Sequence, residues 1–349
     1  MEVVPTRSAP SDPELLTAAR EGDETAFARL VEPHRRELLA HCYRMLGSLH
    51  DAEDALQDAL LRAWRGLPGF DGRSSLRSWL YRIATNTSLD VTGRRSKAPV
   101  LPADHGPAAT GGWDDGAAPN TESVLWLQPL PDGELDEAVA AEPGATYEQR
   151  ESVELAFTAA LQHLPPNQRA ALILREVLGF SAQEVADSMA TSEASVKSAL
   201  QRARATMDER LPDRSQQATL QSLGDARVRA IVQSYTDALE SGDVDAVMDL
   251  LTEDATWSMP PNAQWFSGRD SIAEFLRTGP SKQSWRHVPT WANGQPAVGC
   301  YLWSEERESF AGEVVDVLTL GDDGRIAAVT AFVDAGLFPR LGLPSRIAP

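Results

Sequence analysis

Cysteine is scarce in this sequence, since only Cys42 and Cys300 occur among 349 residues, far apart and outside any CxxC spacing. This argues against a disulfide framework or a structural metal site and predicts two reduced, packed thiols. Long apolar stretches are also missing, because no run approaches the roughly 20 residues that span a bilayer. The first residues lack the basic and then apolar pattern of a secretion signal. We therefore expect a cytoplasmic, non-membrane protein of two or three domains, with no metal or cofactor.

The chain also lacks an excess of basic residues, and its formal net charge is -19. A strongly negative net charge is unfavourable for binding nucleic acid, because its phosphates attract basic surfaces. The charge is nevertheless segregated along the chain. Residues 98–148 contain ten acidic residues and no Lys or Arg, whereas residues 73–97 contain six basic residues and only Asp90 as an acid. This pattern leaves room for a basic, DNA-binding segment in an acidic protein.

The stretch Leu164–Met207 predicts a helix-turn-helix. Ser181 and Glu184 have the spacing of a capping box at the start of a short helix, and Ser192 can cap the next helix after a tight break. On that last helix, apolar residues recur every three or four positions and predict one buried face. The remaining positions supply the candidate base and phosphate contacts Lys197, Ser198, Gln201, Arg202 and Arg204. The alternative is a solvated basic face on an ordinary helical bundle.

A second clear helix is predicted from Asp51 to Arg65, where alanines, leucines and Trp64 form an unbroken apolar stripe. Its other faces are mostly polar and acidic but include one leucine, Leu61. An apolar side chain among acidic ones can mark a partner surface, although single exposed leucines are common. The candidate partner surface consists of Asp51, Asp54, Gln57, Asp58, Leu61 and Arg62.

Aromatic and basic residues alternate in the segment SWLYRIATNTSLDVTGRRSK that follows a turn-rich break at residues 69–72. Such interleaving suits single-stranded nucleic acid, because rings and guanidinium planes stack on bases while the charges follow phosphates. The alternative is that Trp79 and Tyr81 belong to the core, and for Trp79 alone we favour that interpretation.

These segments together resemble a known family. DAEDALQDALLRAWRGL, FDGRSSLRSWLYRIATNTSLDVTGRRSK and the Leu164–Met207 stretch are similar to regions 2 and 4 of extracytoplasmic-function (ECF) sigma factors, the two-domain initiation subunits of bacterial RNA polymerase. The resemblance implies core polymerase and promoter DNA as partners and no enzymatic activity. It implies an all-α region 2 at residues 12–97, an acidic flexible linker at 98–148, and an all-α region 4 at 149–212.

The resemblance also assigns roles to residues. The Asp51 to Arg62 set would hold the clamp of the largest polymerase subunit, and the Lys197 helix would read the −35 element. Asn86 and Thr87 would lie in a loop that reads a base flipped out of the −10 element. The implied −10 contacts are Trp79, Arg82, Asn86, Thr87, Arg94, Arg95 and Lys97. Relatives often carry a second arginine near the start of the −35 helix, where this chain has Ala199.

The linker composition, rich in Pro, Gly, Ala and acid, predicts a flexible tether. In the family, such a linker threads the RNA-exit path of the polymerase as a mimic of nucleic acid. An apolar minority is expected to dock on a neighbour, in particular on the C-terminal domain: Trp113, Val124, Leu125, Trp126 and Leu127. We therefore expect intramolecular contacts of the C-terminal domain with the linker or the sigma domains.

Residues 224–340 change character, with helices followed by alternating strands that predict an α+β cone with a curved antiparallel sheet. The segment resembles the SnoaL-like superfamily, and we expect it to modulate the sigma domains. Its candidate ligand pocket is Trp257, His287, Tyr301 and Asp334. Two alternatives stay open from the sequence, a helix-turn-helix regulator that binds DNA unaided and a cyclase- or isomerase-like enzyme with helical appendages.

Overall fold

A computed structural model describes residues 12–95, 97–112, 124–134 and 153–349. The first helical group contains the helix predicted from Asp51 to Arg65, and Pro33 lies in the 3-10 turn Glu32–His34 that separates two helices before it. The group consists of α1 (Asp12–Arg20), α2 (Glu24–Val31), α3 (Arg35–Leu46), α4 (Leu49–Gly66) and α5 (Leu76–Arg94). In the described part of the chain, no helix combines the length and apolarity needed to cross a bilayer.

The second helical group forms the predicted helix-turn-helix. Ser181 and Glu184 make the complete capping box, and Ala190 takes the left-handed conformation (φ 50°) at the break. Ser192 then accepts a hydrogen bond from the Ser195 N–H and starts the last helix. A short linker helix, α6 (Pro102–His105), precedes the group, which consists of α7 (Leu155–Gln162), α8 (Pro166–Leu172) with a π-helical continuation Ile173–Val177, α9 (Ala182–Ser188) and α10 (Glu193–Arg210).

The two helical groups share one continuous core. Phe180, from the turn before α9, packs edge-on against Tyr81 of α5 with ring centroids 5.5 Å apart. Arg169 of α8 is 1% exposed, and its guanidinium donates to the carbonyl oxygens of Met45, Gln162 and Leu164. A buried guanidinium needs such acceptors because its desolvation is costly. This arginine therefore ties the second group to the end of α3.

The C-terminal domain contains the predicted helices followed by strands, together with short elements that the sequence did not predict. Its elements are α11 (Gln216–Leu223), α12 (Asp225–Ser241), α13 (Val244–Leu250), β1 (Leu251–Ser258), β2 (Trp265–Ser267), α14 (Arg269–Thr278), β3 (Trp285–Ala292), β4 (Gln295–Ser304), β5 (Ser309–Leu320), β6 (Ile326–Val333), α15 (Leu337–Arg340) and β7 (Arg346–Ile347). Of these, α11, α15, β2 and β7 were not predicted.

The sheet order is β2-β1-β6-β5-β4-β3, with β7 beside β5. The prediction of an antiparallel sheet was wrong at one place, because β1 and β6 pair in parallel. The long chain between them lets β6 return in the same direction.

The described parts of the linker are packed, whereas its composition predicted a free tether. Val100 N–H donates to the carbonyl of Leu125 at 2.9 Å, so the two described linker pieces pair with each other. Ala109 N–H donates to the carbonyl of Trp265, and the Trp265 indole donates to the carbonyl of Gly106, which docks the first piece on β2. A few apolar and backbone contacts are thus enough to hold these two described pieces in place.

The linker residues that were predicted to dock differ in their exposure to solvent. Val124 and Leu127 are buried, and Leu127 joins a core cluster of the C-terminal domain. Trp126 is partly buried beside His105, whereas Leu125 is 39% exposed. Trp113 lies outside the described residues.

The turn between β3 and β4 joins the linker, both helical groups and the C-terminal domain. Asn293 in this turn is fully buried and left-handed (φ 56°). Its side-chain oxygen accepts from Leu130 N–H at 2.8 Å, and its amide donates to the Tyr43 hydroxyl at 2.9 Å and to the Val153 carbonyl at 2.6 Å. We call Asn293, Tyr43, Leu130 and Val153 the junction.

We expect Asn293→Ala to lower the free energy of unfolding by about 2–4 kcal/mol. The variant leaves buried polar partners unsatisfied and places a side chain without a local hydrogen bond in the left-handed region. Asn293→Gly loses the same hydrogen bonds without that backbone cost, so it should be the more stable of the two by about 1 kcal/mol. Urea denaturation followed by circular dichroism measures both. An unfolding midpoint of Asn293→Ala equal to that of the unchanged chain would contradict this role of the junction.

Candidate nucleic-acid interface and ligand pocket

The predicted −35 residues all lie exposed on α10. Lys197, Gln201 and Arg204 follow one another at spacings of four and three residues and therefore share one face of the helix. Ser198 and Arg202 lie beside that row. Arg204 forms an ion pair with Glu176 of the neighbouring π-helical turn at 2.6 Å, which fixes the end of the row. The face is a continuous polar and basic strip near the helix start, the geometry that a major-groove reader needs.

The outer face of α4 is polar around one exposed leucine. Leu61 is 46% exposed, and Asp54, Gln57 and Asp58 are exposed beside it. The other predicted members of this face have internal partners. Arg62 is exposed but pairs with Asp90 of α5 at 2.7 Å, and half-buried Asp51 pairs with Arg95.

A groove that the sequence analysis did not predict continues from this face of α4. The groove lies between α2, α3 and α4, and Leu61 lies on its rim. Phe27 and Trp64 line it with ring centroids 5.1 Å apart. Phe27 and Trp64 lie in two separate helices, and the apolar pattern of each helix predicted only that they belong to the core. The packing of α2 against α4 brings them together beside Leu61. The predicted partner surface is therefore a leucine beside a groove whose lining combines apolar side chains with glutamates and with Arg35 and Arg36.

The predicted −10 residues are divided between the surface and the core of α5. Arg82 and Asn86 are exposed one turn apart, and Arg94 is exposed at the end of the helix. Trp79 is 9% exposed and packs on Phe70 with ring centroids 5.0 Å apart, which agrees with the core interpretation of this residue.

The expectation of a loop at Asn86 and Thr87 was wrong, because both lie inside α5. Thr87 is buried, and its hydroxyl donates to the carbonyl of Ile83 at 2.9 Å. Ser88 and Thr92 make the same bond to the residues four positions earlier. These back-bonds satisfy the hydroxyls within the helix, so a polar segment that resembled a loop stays helical.

The basic end of the segment is held by internal contacts. Arg95 donates to Asp51 and to the carbonyl of Leu46, at 3.0 Å for the latter, and only 12% of its side chain is exposed. Burial lowers the pKa of Arg95, and the neighbouring Asp51 opposes that effect. Lys97 is exposed. The structure thus brings together two residues, Asp51 and Arg95, for which the sequence predicted different partners.

The C-terminal domain contains a cavity between α12, α14 and the concave face of the sheet. Two of the four predicted pocket residues, Trp257 and His287, line it. Phe275, Trp285 and Asp316 also line it, and the sequence analysis did not select them. We call this space, lined by these five residues among others, the cone cavity. Its volume is about 80 Å³, and its mouth is open to solvent.

Asp316 is the polar centre of the cone cavity. It is 3% exposed, and its Oδ2 accepts from the Tyr235 hydroxyl at 2.8 Å and from the Cys300 thiol at 3.4 Å. Burial raises the pKa of Asp316 to about 6, and the two hydrogen bonds oppose that rise. The sequence could have indicated this residue. An aspartate inside the apolar strand segment VVDVLTL must either have its charge compensated by neighbouring groups or serve a function.

Tyr301 and Asp334 do not line the cone cavity, so these two predictions were wrong. Successive residues of a strand face opposite sides of the sheet, and Cys300 takes the cavity side. Tyr301 packs on Phe338 behind the sheet and donates to the Pro344 carbonyl at 2.9 Å. Asp334 follows the end of β6 and accepts from Gly336 N–H at 2.8 Å in a turn beside the linker.

Three family models match the chain. They describe sigma-70 region 2 at residues 30–98, sigma-70 region 4 at residues 154–207 and a SnoaL-like domain at residues 232–329. The first match contains α4 and α5, the second contains most of α10, and the third contains the strands around the cone cavity.

Individual relatives agree with these matches. The chain is 42% identical over 336 residues to the ECF RNA polymerase sigma factor SigG of Mycobacterium tuberculosis, covering 94% of this chain and 86% of that protein. It is 30% identical over 196 residues to the ECF RNA polymerase sigma factor SigW of Bacillus subtilis, covering 56% of this chain and 93% of that protein. The crystal structure of the Mycobacterium tuberculosis extracytoplasmic function sigma factor SigJ has a TM-score of 0.56 at 22% identity, covering 89% of this chain and 97% of that chain, a likeness of fold.

We expect Asp316→Asn to gain stability over the unchanged chain as the pH rises. The raised pKa means that protonated Asp316 stabilises the fold at low pH and that this contribution is lost as the pH passes about 6. Asparagine does not ionise, so the difference in unfolding free energy should shift in its favour by about 1 to 2 kcal/mol between pH 5 and pH 8. Guanidinium denaturation followed by tryptophan fluorescence measures the shift. A difference that stays constant with pH would show that Asp316 does not titrate as described.

Proposed function

The chain belongs to the ECF sigma factors, which direct transcription initiation by bacterial RNA polymerase, and from that premise we propose how its surfaces divide this work. Members of the family bind core polymerase and promoter DNA and are not enzymes, so the cyclase and the unaided regulator are set aside. We place the protein in the cytoplasm, with its polymerase. The division into residues 12–97, 98–148, 149–212 and 224–340 stays a prediction.

We propose that the outer face of α4 holds core polymerase. The observation that supports this is the exposed Leu61 among exposed Asp54, Gln57 and Asp58, beside the groove of Phe27 and Trp64. An exposed apolar side chain stabilises a complex when the partner covers it and removes it from water, and the exposed Asp54 and Asp58 beside it favour a basic partner surface. Asp51 and Arg62 also have an internal role. Arg62 pairs with Asp90 of α5 and Asp51 pairs with Arg95 just after α5, so both residues attach α4 to α5.

The basic row on α10 is proposed to read the −35 element. Lys197, Ser198 and Gln201 lie in the first half of the helix, where base edges come within reach, and Arg202 and Arg204 follow toward the phosphates. Arg82, Asn86, Arg94 and Lys97 are the exposed residues proposed for the −10 element.

Trp79 and Thr87 can take part in −10 recognition only after a local opening, because both are buried in the described conformation. Arg95 would have to leave Asp51 to follow the DNA backbone. The packing of Phe180 on Tyr81 also covers part of α5 with the second helical group. We propose that core polymerase separates the two helical groups and so exposes the −10 surface. The described conformation would then be the inactive one.

The C-terminal domain is proposed to stabilise this inactive conformation. It contributes Asn293 to the junction, which contacts Tyr43 of α3 and Val153 before α7. Glu154, at the start of the second group, accepts from the backbone N–H groups of Gln216 and Gln217 at the start of α11. The domain thus binds both helical groups at once, which supports a modulating role.

A second contact lies on the polymerase-facing helix. Arg340 of α15 donates two hydrogen bonds to the carboxylate of Glu53 on α4, at 2.5 and 2.9 Å. Glu53 also lines the groove beside Leu61. The C-terminal domain is thereby anchored at the edge of the surface that we assign to core polymerase, so the two would compete for α4.

We expect Lys197→Ala and Leu61→Asp to separate promoter reading from polymerase binding. Lys197→Ala should bind core polymerase normally but give about tenfold fewer promoter-specific transcripts, because a single base or phosphate contact is worth about 1–3 kcal/mol. Leu61→Asp should weaken binding to core polymerase. Reconstituted transcription and co-purification with core polymerase measure the two effects, on a promoter identified by sequencing transcripts after overexpression.

The matched control for Lys197→Ala is Arg307→Ala, which removes an exposed positive charge from the β4–β5 turn of the C-terminal domain. It should leave both measurements unchanged. Equal transcription from Lys197→Ala and the control would contradict the assignment of α10, and normal core binding by Leu61→Asp would contradict the assignment of α4.

We expect charge reversal at Arg340, the C-terminal-domain side of this contact, to activate the protein. Arg340→Glu leaves the residues of α4 unchanged and should raise core binding up to about fivefold, since a partly exposed ion pair is worth up to about 1 kcal/mol. Competition binding to core polymerase measures the variant against the unchanged chain. An Arg340→Glu variant that binds core polymerase no better than the unchanged chain would show that α15 does not restrain α4.

A further inference from the structure

The cone cavity has the composition of a small-molecule site. Its walls are aromatic and aliphatic side chains from α12, α14 and the sheet, including Trp257, Met259, Phe275, Leu276 and Trp285. Trp257 and Phe275 lie with their ring centroids 5.8 Å apart, and Trp285 approaches His287 at 6.5 Å. A flat or bulky apolar ligand binds favourably to such walls, because its apolar surface is removed from water. The cavity therefore favours a ligand that is mostly apolar.

One carboxyl interrupts these apolar walls. Tyr235 and Cys300 both donate to the Oδ2 atom of Asp316, and among the described residues no hydrogen bond reaches its Oδ1 atom. A carboxylate held in a largely apolar site is costly unless a partner pairs its charge. Asp316 therefore presents one unused acceptor to the cone cavity.

No residue in the lining offsets the charge of Asp316. The residues that line the cavity include neither Lys nor Arg. His287 is the only basic side chain among them, and burial lowers its pKa to about 4, which leaves it neutral near pH 7. Its Nδ1 is buried without a hydrogen-bond partner in the described part of the chain, and the nearest carboxylate oxygen of Glu240 is 3.7 Å away. The cavity is thus an apolar space with a single anionic centre.

We propose that the cone cavity binds an apolar organic amine, with the ammonium group on Asp316 and the body against the rings of Trp257, Phe275 and Trp285. An ammonium group donates to the unused oxygen and neutralises the carboxylate, and aromatic faces attract the same cation. A neutral alcohol would satisfy the hydrogen bond but leave the charge, and a carboxylic acid would add a second negative charge. This inference does not depend on the proposed roles of α4, α5 and α10.

The test compares three probes of one shape on the full chain at pH 8: 1-naphthylmethylamine, 1-naphthylmethanol and 1-naphthoic acid. Titration calorimetry and quenching of tryptophan fluorescence give the affinities. The amine should bind at least tenfold more tightly than the alcohol, and the acid should bind more weakly than the alcohol. Asp316→Asn can still accept from Tyr235 and Cys300, so it should fold and lose at least tenfold in affinity for the amine. Asp334→Asn, a carboxyl removed outside the cavity, should bind the amine like the unchanged chain.

A second variant locates the site independently of Asp316. Val314→Trp adds a large side chain to the cavity wall and should abolish binding of both the amine and the alcohol. Equal affinity for amine and alcohol, unchanged amine binding by Asp316→Asn, or amine binding that survives in folded Val314→Trp would each overturn the proposal. Failure of all three probes to bind the unchanged chain would overturn it as well.

Discussion

A single buried asparagine connects the parts of this molecule that the sequence presents as separate. Asn293 uses its side-chain oxygen and amide to bond the linker, α3 and the start of the second helical group at once. Buried polar groups must be paired, so these bonds hold only while all of the segments stay in place. The junction adds to the shared core and the Arg169 contacts that pack the two helical groups, and it binds the linker at residue 130. The C-terminal domain is therefore part of the arrangement of the helical groups, and their separation has to break the junction.

Some charged side chains that were predicted to bind a partner form ion pairs within the molecule. Asp51 and Arg95 pair with each other, and Glu53 binds Arg340, although the first two were predicted for polymerase and for DNA. An exchange of partners costs little net electrostatic free energy when an internal pair is replaced by an intermolecular one. Such pairs suit a protein that alternates between a closed form and a form bound to its polymerase. Lys197 and Gln201 differ, because they lie exposed on α10 in the described conformation.

The cone cavity illustrates a limit of pattern reasoning. The alternation of β4 and β5 predicted strands correctly, yet it did not tell which of Cys300 and Tyr301 faces the cavity. Alternation places these two residues on opposite faces of the sheet, but it does not tell which face is concave, because that depends on the elements that pack against it. Asp316 was visible as a charge within an apolar strand, but its importance depended on Tyr235, which is 81 residues away along the chain.

The sequence by itself determined the family, the helix-turn-helix with its capping box, the outer faces of α4 and α10, and most of the strands. These features depend on local periodicity, caps and turn residues, which act over a few positions. Only the tertiary structure decided that Thr87 lies within a helix, that the described parts of the linker pack, and that Asp316 lies at the cavity centre while Tyr301 and Asp334 do not. Those outcomes depend on contacts between residues far apart in the chain, where burial and hydrogen-bond satisfaction outweigh local preference.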